Sequence, residues 1–189
     1  MKYERWLIPE TDDAAVEALM DAGYPYLVST VLASRGVVTP EQAAAHLDRE
    51  RSLVYSPFLM RDMDKAVARI DRALAGGETI AVFGDYDVDG ITGATLILQT
   101  LRFHDVPSTV HLPDRRKEGY GLNIPEIERL AAEEGPGILL TVDCGISDVK
   151  AVERARELGF MVVVSDHHMP PEELPPAHAI TNPRLSEDN

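Results

Sequence analysis

Apolar positions in the first fifty residues recur at helical spacing. Ala14, Val16, Leu19 and Met20 follow Asp12 and Asp13, with the acids in the first turn, where the helix dipole favours them. A second helix is expected over Tyr24–Arg35, carrying Tyr26, Leu27, Val31 and Leu32, with Gly36 as its stop. Thr39-Pro40-Glu41-Gln42 pairs a cap residue with proline in the first turn, which starts a third helix running to Leu47. No motif in this stretch carries chemistry, so it reads as a packing or partner-contact segment. Residues 50–61 read as a connection broken by Pro57. Asp62 then opens a helix with Met63, Ala66, Val67, Ile70, Ala73 and Leu74 on one side, and Gly76-Gly77 ends it.

Beyond Gly77 the period changes. Short apolar runs at Thr79–Phe83, Ser108–Leu112, Ile138–Val142 and Phe160–Val164 alternate with helical patterns at Ile91–Phe103, Pro125–Glu134 and Ser147–Leu158. Ala179-Ile180-Thr181 is a candidate last short strand. Apolar strands alternating with amphipathic helices define an α/β, Rossmann-like, mostly parallel sheet with helices on both faces.

Composition narrows the class. The 189 residues are 44% hydrophobic and 26% charged, too apolar for a disordered acidic tail. A single cysteine, Cys144, excludes a disulfide framework and a cysteine zinc cage. The apolar patch Trp6-Leu7-Ile8 is too short for a signal peptide, and no run approaches the roughly 20 residues that span a bilayer. A cytoplasmic protein without membrane association is the expectation. The net charge of −14 disfavours passive coating of nucleic acid. It permits an enzyme that reaches phosphates through divalent cations, which invert the local field.

The chemistry lies in the turn after each strand. Thr79–Phe83 leads into Gly84-Asp85-Tyr86-Asp87-Val88-Asp89-Gly90, Ile138–Val142 into Asp143-Cys144-Gly145, and Phe160–Val164 into Ser165-Asp166-His167-His168. In an open parallel sheet these turns share the C-terminal edge, where such folds bind ligands. Five aspartates and two histidines converge there, and carboxylates at close quarters raise one another's pKa unless cations neutralise them. Asp oxygens with imidazole nitrogen suit Mn²⁺, and Mg²⁺ less specifically. So many ligands fit two metals roughly 3.5–4 Å apart, an arrangement that activates water against a phosphate ester.

Blander readings exist for each piece. A lone Asp after a strand is most often a helix cap. Asp85, Asp87 and Asp89 begin like a calcium loop, but Leu96 stands where that loop needs its closing Glu. His167-His168 alone could be a surface pair. No dinucleotide fingerprint, phosphate-binding P-loop or serine elbow occurs. Cys144 reads as a small apolar residue at a strand end. His46, His104, His111 and His178 show no partner in the sequence and read as structural or surface residues.

FGDYDVDG (83–90), TVDCG (141–145) and SDHH (165–168) resemble the DHH phosphoesterase superfamily. LPDR (112–115), EGYGLN (118–123) and the lead-in 56–70 are similar to its bacterial single-strand-specific 5′→3′ DNA exonucleases. The resemblance implies a helical segment at 1–60 and an incomplete phosphoesterase domain at 61–189. It implies Asp85, Asp87, Asp89, Asp143 and His167 as metal ligands, with Asp143 bridging two Mn²⁺ or Mg²⁺ ions. Asp143, His167 and His168 are the implied catalytic residues. Asp166 is implied as support for the histidines, and Arg115 and His168 as phosphate contacts, with Arg116 and Lys117 more of a solvated face. Single-stranded DNA is the implied substrate, and a single-strand-binding protein or a helicase the implied protein partner.

The sequence departs from the family pattern in two respects. Phe83 stands where some relatives carry a histidine four residues before the first Asp of their DxD. The family's further Asp ligand and its second domain are expected beyond residue 189, which makes this chain an N-terminal portion expected to be weak or inactive alone. Two alternatives stay open: a phosphodiesterase for short oligonucleotides or cyclic dinucleotides, and a non-catalytic partner-binding module.

Overall fold

The computed structural model describes residues 9–47, 55–117 and 119–185. Trp6-Leu7-Ile8, the first part of the 50–61 connection and Glu118 lie outside the described residues. The chain divides into two compact units, residues 1–55 and 56–189.

The first unit holds three short helices, α1 (Asp13–Asp21), α2 (Tyr26–Ala33) and α3 (Pro40–Leu47). Asp12 caps α1 by accepting the Ala14 N–H at 3.0 Å. Leu19, Leu32 and Ala43 form its small core. The second helix is shorter than the Tyr24–Arg35 expectation: a residue before proline disfavours helical backbone, which keeps Tyr24 out, and Pro25 is the extended N-cap.

The second unit opens with one 3-10 turn, Pro57–Leu59, and then α4 (Met63–Gly76). Asp62 does not cap α4 with its side chain. It takes a left-handed conformation (φ 56°), and its carboxylate accepts from Lys65 at 2.5 Å and from the Ile180 N–H at 3.3 Å. Then come β1 (Ile80–Gly84), α5 (Val88–Phe103), β2 (Ser108–His111), α6 (Ile124–Glu134), β3 (Ile138–Val142), α7 (Val149–Glu157), β4 (Met161–Ser165) and β5 (Ala179–Thr181). The five strands pair in parallel in the order β2-β1-β3-β4-β5.

Side chains alternate across this sheet, as strand geometry dictates. Ile80, Val82, Ile138, Leu140 and Val163 pack with Ala66 and Ala73 of α4 and Ala94 and Leu101 of α5. On the other face Ala81, Phe83, Leu139, Val162 and Val164 pack with Ile127 and Leu130 of α6 and Val152 and Ala155 of α7. The strands are buried on both faces, which is why they read as unbroken apolar runs. The order reverses direction at β1 and β3, and the crevice at that switch point is where open α/β sheets take ligands.

Candidate metal centre

The strand ends are in register, and this aligns the acids. Gly84 pairs with Val142, Val142 with Ser165, and Ser165 with Thr181. The next residue on each strand is Asp85, Asp143, Asp166 and Asn182. The ladder continues one rung past the strands: Asp85 N–H donates to Val142 C=O at 3.1 Å, Asp143 N–H to Ser165 C=O at 2.9 Å, and Asp166 N–H to Thr181 C=O at 3.1 Å. One row of polar side chains therefore runs along the C-terminal edge on backbone the sheet holds rigid.

The DxD segment adds a helix end to this row. The α5 helix begins at Val88, three residues before the sequence pattern suggests, so Asp89 lies in its first turn and Asp87 is its N-cap, accepting the Gly90 N–H at 3.2 Å. This is a strand–turn–helix arrangement, unlike a calcium loop. Gly90 makes the turn possible: a Cβ there would lie 2.5–2.8 Å from the backbone of Asp85.

Asp85, Asp87 and Asp143 each offer an oxygen within 4.8 Å of the others, and Asp143, His167 and His168 form a second such group. Asp143 belongs to both. It has a left-handed backbone (φ 63°), rare outside glycine and concentrated at functional sites. His167 Nε2 lies 2.8 Å from Asp143 Oδ1 and 3.5 Å from Asp89 Oδ2. Asp89 is exposed and belongs to neither tight group. Asp166 belongs to neither group; its Oδ2 accepts the Ile146 N–H at 3.0 Å and its Oδ1 lies 2.8 Å from His168 Nδ1.

The electrostatics follow from burial. Asp143 is 7% exposed. Loss of solvent, then the adjoining Asp87 carboxyl, pushes its carboxyl up to about 6 from an ordinary 3.8. Burial also raises Asp85. Asp87 is held low, chiefly by the Gly90 N–H. The Asp166 carboxylate raises the pKa of His168.

Asp85 Oδ1 and both Asp143 oxygens are buried without a hydrogen-bond donor, the His167 contact being off hydrogen-bond geometry. Buried carboxylate oxygens left so are costly. Carboxylate oxygens grouped with imidazole nitrogen fit a divalent cation such as Mn²⁺ or Mg²⁺. The donor set therefore fits the metal expected from the sequence.

Arg115, at the same edge, is exposed, its guanidinium 5.2 Å from the Tyr86 ring centroid. Tyr86 meets Tyr120 edge-on. Arg116 and Lys117 are exposed, with Lys117 Nζ 3.6 Å from Asp114. Phe83, in the place of the relatives' histidine, is buried with its ring 4.9 Å from His111. His111 does have a partner: its Nδ1 lies 2.7 Å from Glu126. Cys144 is buried, its Sγ 3.6 Å from the Phe83 carbonyl, and burial raises its thiol pKa, as befits a packed residue.

Residues not singled out from sequence also build the edge. The Tyr120 hydroxyl lies 3.0 Å from His168 Nδ1 and 3.4 Å from the Asp143 carbonyl oxygen. Asp148 accepts the Leu122 N–H at 2.9 Å, tying the turn that carries Tyr120 to the start of α7. Asn182 donates to the His168 carbonyl at 3.0 Å. The EGYGLN segment pointed toward Tyr120; Asp148 and Asn182 gave no local signal. Among the described residues no helix is long and apolar enough to cross a membrane.

Residues 79–189 match the model of the DHH family, N-terminal domain. The chain belongs to this family. It is similar to the single-stranded-DNA-specific exonuclease RecJ of Bacillus subtilis strain 168, with 38% identity over 181 residues, covering 95% of this chain and 23% of that protein. It is also similar to RecJ of Escherichia coli K12, with 37% identity over 190 residues, covering 100% and 31%. The chain thus spans only about a quarter to a third of the length of these relatives. A crystal structure of exonuclease RecJ bound to manganese matches with a TM-score of 0.66 and 31% identity, over 72% of this chain and 34% of that one. The Mn²⁺ complex of RecJ from Thermus thermophilus matches with a TM-score of 0.65 and 25% identity, over 96% and 25%.

Proposed function

We propose that this chain carries the metal-binding part of a phosphodiesterase that removes nucleotides from the 5′ end of single-stranded DNA. The observation that carries the reading is Asp143. It is buried, shared by two ligand groups, and lacks a hydrogen-bond donor on either oxygen. Asp85, Asp87 and Asp143 would hold one divalent cation, and Asp143 with His167 a second, with Asp89 beside His167. Such cations supply Lewis-acid activation of water and neutralise charge at the scissile phosphate. The similarity to RecJ exonucleases along 95% of the chain supports single-stranded DNA as the substrate class and Mn²⁺ or Mg²⁺ as the ion.

The protein's own groups have separable tasks. Asp166 accepts the backbone N–H groups of His167 and His168 at 2.7 and 3.0 Å, which fixes the turn that carries both rings, and its contact with His168 Nδ1 orients that ring. The pairing with Asp166 favours a protonated His168, a cation suited to a phosphate oxygen. Arg115, steadied over Tyr86, can take a terminal phosphate bidentately. The direction of degradation, the implied domain division at residues 60 and 61, and an association with a single-strand-binding protein or helicase belong to the same proposal.

The test compares a 5′-labelled long single strand, the same strand in a duplex, and dinucleotides, each with Mn²⁺. Release of 5′-mononucleotides from the long single strand in preference to the duplex, slow for a portion expected to be weak alone, is the expected result. Rapid loss of dinucleotides with long strands untouched overturns it.

A further inference from the structure

We infer that Asn182 and Arg184, which come directly after β5, are positioning residues for the His167–His168 pair. The inference rests on reading this edge as a metal centre. The last ladder rung between these chain segments runs from Asp166 N–H to Thr181 C=O. Beyond it, side chains take over the role of the sheet. Asp166 Oδ1 accepts the N–H of His167 at 2.7 Å and of His168 at 3.0 Å. Arg184 Nε donates to the His167 carbonyl at 2.9 Å. Asn182 Nδ2 donates to the His168 carbonyl at 3.0 Å. All four polar backbone atoms of the two histidines are thereby engaged by three side chains.

Asn182 and Arg184 act together. Asn182 Oδ1 accepts the Arg184 N–H at 2.9 Å, so the amide sets the start of the turn from which Arg184 reaches back. Asn182 is 0% exposed, and a buried amide persists only when its groups are paired. Asp166 holds the N–H side from within the histidines' own turn. The carbonyl side is held from the segment that directly follows β5, a second anchor beside the Asp166 bonds. Without it the two peptide planes can rotate, and each rotation swings an imidazole away from Asp143. Partners of a ligating ring itself typically change metal affinity 10- to 100-fold, and a hold on the backbone that carries the ring, one step further out, belongs at the low end of that range.

The experiment uses the 189-residue chain with Arg184→Ala, Arg184→Lys and Asn182→Asp. Three quantities are read: Mn²⁺ affinity by paramagnetic titration, the thermal midpoint, and the ¹H–¹⁵N imidazole spectra of the metal-free chain. Arg184 is exposed, so its variants report on positioning even if Asn182→Asp fails to fold. Arg184→Ala should weaken Mn²⁺ binding by up to roughly tenfold with the midpoint held. Arg184→Lys, which keeps a cationic donor, should recover part of the loss. The His167 and His168 ring resonances should shift and broaden in Arg184→Ala before any metal is added. Unchanged affinity and unchanged ring spectra in Arg184→Ala overturn the inference, as does an affinity loss that only accompanies a fallen midpoint. The metal-centre reading fails separately: Mn²⁺ would then bind Asp143→Asn as well as the original chain, while the ring spectra still decide the positioning role.

Discussion

His167 Nε2 stands 2.8 Å from Asp143 Oδ1, although the two residues lie on different strand ends, 24 positions apart in the chain. The contact exists because β3 and β4 pair in parallel with Val142 opposite Ser165. Asp143 and Asp166 are therefore neighbours on the next rung, and the histidines come immediately after.

Asp143 predicts a pH-dependent stability in the metal-free chain. Its folded pKa of about 6 lies above its ordinary 3.8, so between those values the folded state holds more protons than the unfolded one. Stability therefore falls as pH rises from about 4 to about 6, by the order of 1–3 kcal/mol. Asp85, also raised, contributes with the same sign. Asp143→Asn should flatten this slope and raise the thermal midpoint at neutral pH. Mn²⁺ should raise the midpoint of the original chain and leave that of Asp143→Asn unmoved. Thermal melts across pH with and without Mn²⁺ measure all of this.

Asp87 has two separable jobs. Its carboxylate caps α5 through the Gly90 N–H, and its charge belongs to the Asp85–Asp87–Asp143 group. Asp87→Asn keeps a capping oxygen and loses the charge, so stability should hold while Mn²⁺ affinity drops. Asp87→Ala should lose the affinity and about 1 kcal/mol besides. Chemical denaturation beside calorimetric Mn²⁺ titration tells the two apart.

Gly90→Ala should damage both fold and site. The new Cβ would lie 2.5–2.8 Å from the Asp85 backbone, and backbone cannot yield as a side chain does. The expected cost is about 1–3 kcal/mol, with Mn²⁺ binding weakened because Asp85 and Asp87 move apart. A variant as stable as the original chain, with full Mn²⁺ affinity, would contradict this account of the turn.

Asp148 and Gly121 should fail alike. Asp148 holds the Leu122 N–H, and Gly121 (φ +81°) leaves room for that carboxylate, which a Cβ would approach to 2.5 Å. Asp148→Ala leaves a donor unpaired and should cost about 1–3 kcal/mol. Gly121→Ala should cost a similar amount through strain and clash. In both variants, limited proteolysis should cut sooner near residues 119–122.

The strands, the helices behind them and the acids at each strand end could be read in the sequence because each is a local property. Period distinguishes Ile138–Val142 from Ser147–Leu158, and an aspartate after an apolar run marks a strand end. Local signals also misplaced features. Val88 and Asp89 read as turn, because nothing nearby showed that Asp87 would cap the helix. Asp62 opens α4 as its place in the sequence suggests, but its bond to Ile180, 118 residues away, leaves no trace in its neighbours.

Residue order was enough to specify an α/β sheet with helices on both faces and an acidic, histidine-bearing C-terminal edge. Those features come from alternation and residue type, which act over a few residues at a time. Strand order and register, which set Asp85, Asp143, Asp166 and Asn182 in one row, are visible only in three dimensions. The folded chain places Asp143 in both candidate ligand groups and brings Asn182, Arg184, Tyr120 and Asp148 into hydrogen bonds around them. Such roles arise from hydrogen bonds between residues distant in the chain, and those depend on how the strands pair in space.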